Sequence, residues 1–181
     1  MKHTKLTLVF MAIILSIGLF SLPAREKNIA VGAQLGFTTS GVLVDVGLGS
    51  LYLQAGVGYP LGISYIAALS DDEDIFYNVF TYNADISQAF ALSDQFDLKL
   101  GIGTTAFTNF GPVIIGFAGP VIKGEYWIPN KNMGLFLNLN VPVMAYGIVE
   151  DDDTFNGGVI FDPVFPLIGL VTSTFGVLYS F

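Results

Sequence analysis

Ionisable residues make up only 12% of this 181-residue chain, and they are grouped. Eight of the fifteen acids form two runs: Asp71, Asp72, Glu73 and Asp74, then Glu150, Asp151, Asp152 and Asp153. Clustered carboxylates are the ligands a calcium ion takes, so a divalent cation at these runs is one candidate chemistry. The plain alternative is a solvated loop tip held open by like-charge repulsion. A calcium-loop spacing can be laid over "DDTFNG", but Pro163 occupies the closing glutamate position and the pattern fails there.

A second set is spread along the chain: Asp45, Asp85, Asp97, Lys99, Lys123 and Glu125, each inside an apolar stretch. Charges in such surroundings must be paired. Group-transfer chemistry has little to draw on. There is no Cys, the only His is His3 and the only Arg is Arg25. A serine without a base is a weak nucleophile at neutral pH, and a thiolate metal site is excluded. No enzymatic activity and no cofactor are expected. Nucleic acid is not an expected partner either. Beyond residue 24, five basic residues stand against fifteen acidic ones, a net charge near −10, whereas phosphate binding needs basic clusters.

The elements that must hold these charges follow from hydrophobic patterning. Residues 1–24 read as a secretory signal peptide: Lys2 and Lys5, an unbroken apolar run from Leu6 to Leu22, then the small Ala24 before "REK". Residues 25–181 are then one domain. It is rich in Gly and aromatic residues, yet has no further run near the ~20 apolar residues of a membrane helix. Its hydrophobicity lies in alternation instead, which points to a membrane β-barrel. Eight segments alternate with period two: Ile29–Phe37, Val42–Gly49, Leu51–Ile63, Ile75–Phe90, Phe96–Phe107, Pro112–Ile128, Met133–Gly147 and Leu170 to Phe181. One side of each carries large apolar residues. The other carries Gly, Asn, Gln, Ser, Thr and the six embedded charges. A polar side so poor in charge suits a barrel lumen, so the apolar side is expected to face lipid. Asp97 is expected opposite Lys123, with Lys99 near, as an ion-pair plug or the gate of a narrow pore. The inward glycines make room for Tyr52, Phe107, Phe136 and Tyr146, or else line a cavity for a small apolar ligand.

The turns "GS", "LSDQ" and "PNKN" are short, and the acidic connections are longer and lie on the other face. The chain ends on Phe181, preceded at alternate positions by Tyr179, Val177 and Phe175. In this the sequence resembles the small outer-membrane barrels of the OmpA-domain, OmpX and OmpW kind. The resemblance implies an all-β fold, a closed antiparallel eight-stranded transmembrane β-barrel in an outer membrane. It further implies a monomer surrounded by outer-membrane lipids, with Phe175, Val177, Tyr179 and Phe181 read by barrel assembly machinery. Enzymes of this architecture rely on a His, which residues 25–181 lack. The expected role is therefore structural or surface-exposed, or a narrow conduit for small or apolar molecules. The alternatives are adhesion through the acidic external loops, or a soluble lipocalin-like carrier in the periplasm. Pro120 and Pro142 fall beside one another on strands six and seven. Lacking an N–H, they mark either a lateral opening between lumen and lipid or two bulges.

Deleting Phe181 should leave export intact and lower, severalfold, the amount of heat-modifiable folded protein in the outer membrane. An unchanged folded yield would remove the terminal aromatic from the assembly signal.

Overall fold

The computed structural model describes residues 29–69, 79–111, 113–151, 154–162 and 164–181. The expected signal peptide, Asp71, Asp72, Glu73 and Asp74, and Asp152 and Asp153 lie outside the described residues. The strands are β1 Ile29–Gly36, β2 Ser40–Leu48, β3 Leu51–Tyr59, β4 Phe80–Ala91, β5 Phe96–Thr108, β6 Val113–Trp127, β7 Met133–Asn140, β8 Met144–Asp151, β9 Thr154–Phe161 and β10 Thr174–Ser180. The helices are α1 Leu61–Leu69 and α2 Phe165–Thr172. Strands β1 to β7 pair in chain order, and β10 joins β7 to β1. All pairings are antiparallel, and the eight strands form a closed barrel.

The alternation decides which face is which. In β2 the even-numbered Val42, Val44 and Leu48 are exposed, while Leu43 and Asp45 between them are buried. The tight β2–β3 turn uses Gly49 at φ 74°, the left-handed backbone that a two-residue hairpin needs and glycine adopts freely. One row of partners runs round the wall from Met133 through Tyr179, Val31, Val44, Ala55, Ala84, Thr104 and Ala118 to Met144. Allowing one residue for a bulge, it returns about ten residues higher. Eight strands with that stagger tilt by about 40° and enclose a radius of about 8 Å.

Three expected boundaries are corrected. Strand three ends at Tyr59, not Ile63, because Pro60 has no N–H for the ladder. Ser64 N–H instead bonds Pro60 O at 2.9 Å and α1 starts. Leu170 lies in α2, where Pro166 fits the first helical turn, so the last strand begins at Thr174. The segment after Gly147 is not a loop: β8 and β9 form a hairpin that pairs Glu150 with Phe155 and Asp151 with Thr154.

Strand seven is divided between β7 and β8 at Val141, Pro142 and Val143. Val121 faces Asn140, whereas Ala118 faces Met144, so three steps on β6 match four on its partner. This is a one-residue bulge, and it reverses the parity of the side chains beyond it. Tyr146, expected inward, lies over Gly116 on the outer side, its hydroxyl 2.8 Å from Thr104 Oγ1. At Pro120 the ladder is bridged: Val141 N–H donates to Pro120 O and Val143 N–H to Ala118 O, both at 2.9 Å.

The register below the bulge is directly testable. Ile122→Cys with Leu139→Cys, direct partners, should form a disulfide on mild oxidation in the folded protein. Ile122→Cys with Leu137→Cys should not, because diagonal neighbours on a sheet sit beyond disulfide reach.

Candidate functional site

All six embedded charges point into the barrel, and each is buried. Alternation within β2, β4, β5 and β6 puts them there, but the partners are not the expected ones. Along the wall between β5 and β6, Asp97 faces Glu125 and Lys99 faces Lys123. The expected Asp97–Lys123 opposition is therefore replaced by two like-charge pairs, an arrangement that costs energy if left alone. Compensation comes from across the lumen and from the diagonal neighbour Glu125 on the same wall. Lys99 Nζ lies 2.5 Å from Asp45 Oδ2 on β2 and 2.6 Å from Glu125 Oε1 on β6. It also stands 3.7 Å above the centre of the Tyr52 ring, a cation–π contact. Lys123 Nζ lies 3.1 and 3.2 Å from the two carboxylate oxygens of Asp85 on β4 and donates to Gln54 Oε1 on β3. Trp127 Nε1 donates to Glu125 Oε2 at 3.3 Å. One level away, Gln34 and Asn83 exchange two amide hydrogen bonds of 2.9 and 3.2 Å.

Lys99 and Lys123 are 1% and 0% exposed, so solvent does not reach either ammonium. Inside a backbone ring of about 8 Å radius, two lysines, their carboxylates, Tyr52 and Trp127 are all buried. Chemically this arrangement braces β2, β3, β4, β5 and β6 against one another and sets fixed charges in the path of any ion. Sequence reasoning missed Gln54, Tyr52, Trp127, Gln34 and Asn83 as members. Their inward parity was legible; their reach across the barrel was not. Two glycines of the alternating segments lie outside the lumen: Gly49 forms the β2–β3 turn and Gly62 lies in α1 against the Phe37 ring.

The outer surface is the opposite of the interior. Val31, Leu35, Val42, Leu53, Ile86, Ile102, Leu135 and Leu137 are all exposed. Aromatic rings gather towards the two ends of the wall. At one end Phe80 packs against Tyr59 and Phe110, with centroids 6.4 and 4.9 Å apart, and Tyr82 meets Phe110 at 6.5 Å. At the other, Tyr179 and Phe181 meet edge-to-face at 5.3 Å. Twelve residues of β4, tilted by about 40°, rise about 28 Å along the axis, near the ~25 Å apolar band of a membrane barrel. Phe175, Val177 and Tyr179 belong to this outer surface, and Phe181 N–H closes onto Ile29 O at 3.1 Å. Pro142 is buried and Pro120 exposed at the bulge, next to a narrow cavity lined by Gly103, Thr105, Phe117, Asn140 and Thr172. Of the acidic runs, the structure places the backbone of Glu150 and Asp151 in β8.

The fold and its interior define a class: a closed antiparallel eight-stranded β-barrel with charges inside and apolar residues outside. No protein-family model matches the chain, and no curated protein matches it. Among solved structures, a major outer membrane protein from Thermus thermophilus aligns over 87% of this chain and 100% of its own, with 14% identity and a TM-score of 0.35.

Lys123→Ala removes the cation facing Asp85, and loss of one member of a buried pair should cost about 3–5 kcal/mol. Adding Asp85→Asn should recover part of that loss in urea titrations, whereas adding Asp97→Asn should not. Recovery with Asp97→Asn instead would contradict the partner assignment.

Proposed function

We propose that this chain is an integral β-barrel of an outer membrane with a structural or surface role and no enzymatic activity, its lumen closed to ions by its own charges. The observation that carries the reading is the inversion of polarity. Six charges and the Gln34–Asn83 pair are inside, beside a small apolar group that includes Leu43, Trp127, Phe136 and Leu178, while most of the large aliphatic and aromatic side chains are outside. Water solvates such an exterior poorly and lipid solvates it well, and closure leaves no strand edge of the ring unpaired in the bilayer. A soluble carrier of apolar ligands would need the reverse parity. A conduit for small molecules would need an axial path where Lys99, Lys123, Asp45 and Glu125 now meet. Outer-membrane lipids are the partners this surface suits. The exposed Phe175, Val177 and Tyr179, with Phe181 following, suit recognition by assembly machinery.

In planar bilayers the purified protein should carry no steady ionic current. A variant that empties the cross-section, Lys99→Ser with Lys123→Ser, Asp45→Ser and Glu125→Ser, should show openings. Steady conductance of the unaltered protein would favour the conduit reading.

A further inference from the structure

We propose that α1 and α2 are membrane-contacting elements that carry the apolar belt past the end of the strands on one side of the barrel, with acyl chains of the adjacent leaflet as their partner. The inference deepens the membrane-barrel reading and rests on it. Neither helix contains an Asp, Glu, Lys or Arg: α1 reads LGISYIAAL and α2 reads FPLIGLVT. A helix at the end of a barrel in water would be expected to turn a charged face outward. Here Leu61, Tyr65, Ile66 and Leu69, spaced to share one face of α1, are all exposed, and so is Leu170 of α2 at 83%.

Their places in the fold continue the wall. Phe37 follows the outward row of β1, and its ring packs against Gly62 while its carbonyl accepts the Gly62 N–H at 2.9 Å. That seats α1 against an outward side chain rather than over the lumen. Helix α2 stands directly above β10. β7 pairs with β10 only as far as Asn138 and Thr174, and beyond that level β8 pairs with β9 instead. The position in the wall above β10 is taken by α2. Asn140 Nδ2 donates to Thr172 O at 2.9 Å from one side, and Thr38 Oγ1 donates to Val171 O at 3.3 Å from the other. Gly169 sits against the Asn140 carbonyl so closely that a side chain there would collide with it. With Thr172 and Gly169 turned inward and Leu170 outward, the outer face of α2 extends the row Phe175, Val177 and Tyr179. The exposed Leu35 and Leu139 flank it on β1 and β7. An apolar surface continuous with a lipid-facing wall is matched by lipid, and at eight residues α2 adds about 12 Å to it.

The absence of Cys makes single-site spin labelling direct. Nitroxides attached through Tyr65→Cys and Leu170→Cys, both exposed positions, are compared in proteoliposomes with a wall control, Val42→Cys, and an aqueous control in the short β4–β5 turn, Asp94→Cys. Each variant is first checked for heat-modifiable folding. The expected result is relaxation by oxygen exceeding relaxation by a water-soluble nickel chelate at both helix sites, as at Val42→Cys and opposite to Asp94→Cys. Nickel-dominated relaxation at a helix site, with Val42→Cys still oxygen-dominated, overturns the proposal for that helix and leaves the membrane barrel standing. Nickel-dominated relaxation at Val42→Cys overturns the membrane barrel and the proposal together.

Discussion

Two ammonium groups shut inside a tube of about 8 Å radius set the terms for much of this structure. Lys99 and Lys123 are neighbours on adjacent strands, and so are Asp97 and Glu125. In an open sheet that pattern would drive β5 and β6 apart. Ring closure changes the outcome, because the far wall comes within side-chain reach. Asp45 and Gln54 arrive from β2 and β3, and Asp85 from β4. Lys99 therefore pairs both across the lumen with Asp45 and diagonally along the wall with Glu125, and Lys123 pairs across to Asp85. A buried ion is tolerated only where partners and hydrogen bonds replace its lost water, and the barrel supplies them from strands on both sides of the lumen.

The same constraint explains why the lumen is so polar and the wall so apolar. With much of the interior given to charges, amides and hydroxyls, beside Tyr52, Trp127, Phe136 and Leu178, most of the large apolar side chains take the outer face. The bulge at Pro142 shows how local the arrangement is. One extra residue moves Tyr146 from the lumen side to the outer side, where its hydroxyl still finds Thr104. That bond satisfies a polar group that would otherwise be costly on an apolar surface. The two prolines, which by themselves suggest a broken seam, fall where the backbone reorganises around them, and neighbouring N–H groups carry the ladder past the step.

The end of the barrel away from the short turns is asymmetric. On the β6 side the wall continues upward as the β8–β9 hairpin. On the β10 side it continues as α2, and beside β1 and β3 as α1. Helices satisfy their own backbone, so α2 continues the wall above β10 without needing a pairing strand on either side. This gives a physical reason for a helix, not a strand, to sit above Thr174.

By itself the sequence determined the parts of this protein that depend on period two. The eight alternating segments, the inward set Asp45, Asp85, Asp97, Lys99, Lys123 and Glu125, and the outward set Phe175, Val177 and Tyr179 follow from which residues alternate, while closure of the ring is what the resemblance to small outer-membrane barrels implies. The alternation is a property of neighbours in the chain. Even the register of Ile122 with Leu139 was legible, since a short turn propagates it directly. Only the tertiary structure decided which charges meet. The partner of Lys123 depends on the stagger accumulated over every hairpin and on the closing of the ring, and an error of one residue at any turn moves it. The reversal at Tyr146, the strand character of β9 and the helices at Leu61 and Phe165 belong to the same category. Tyr146 is set by the bulge at Pro142 and β9 by its pairing with β8. The segments at Leu61 and Phe165 are apolar stretches whose local pattern allows strand or helix, and the contacts of Phe37 with α1 and of Asn140 and Thr38 with α2 fix them as helices.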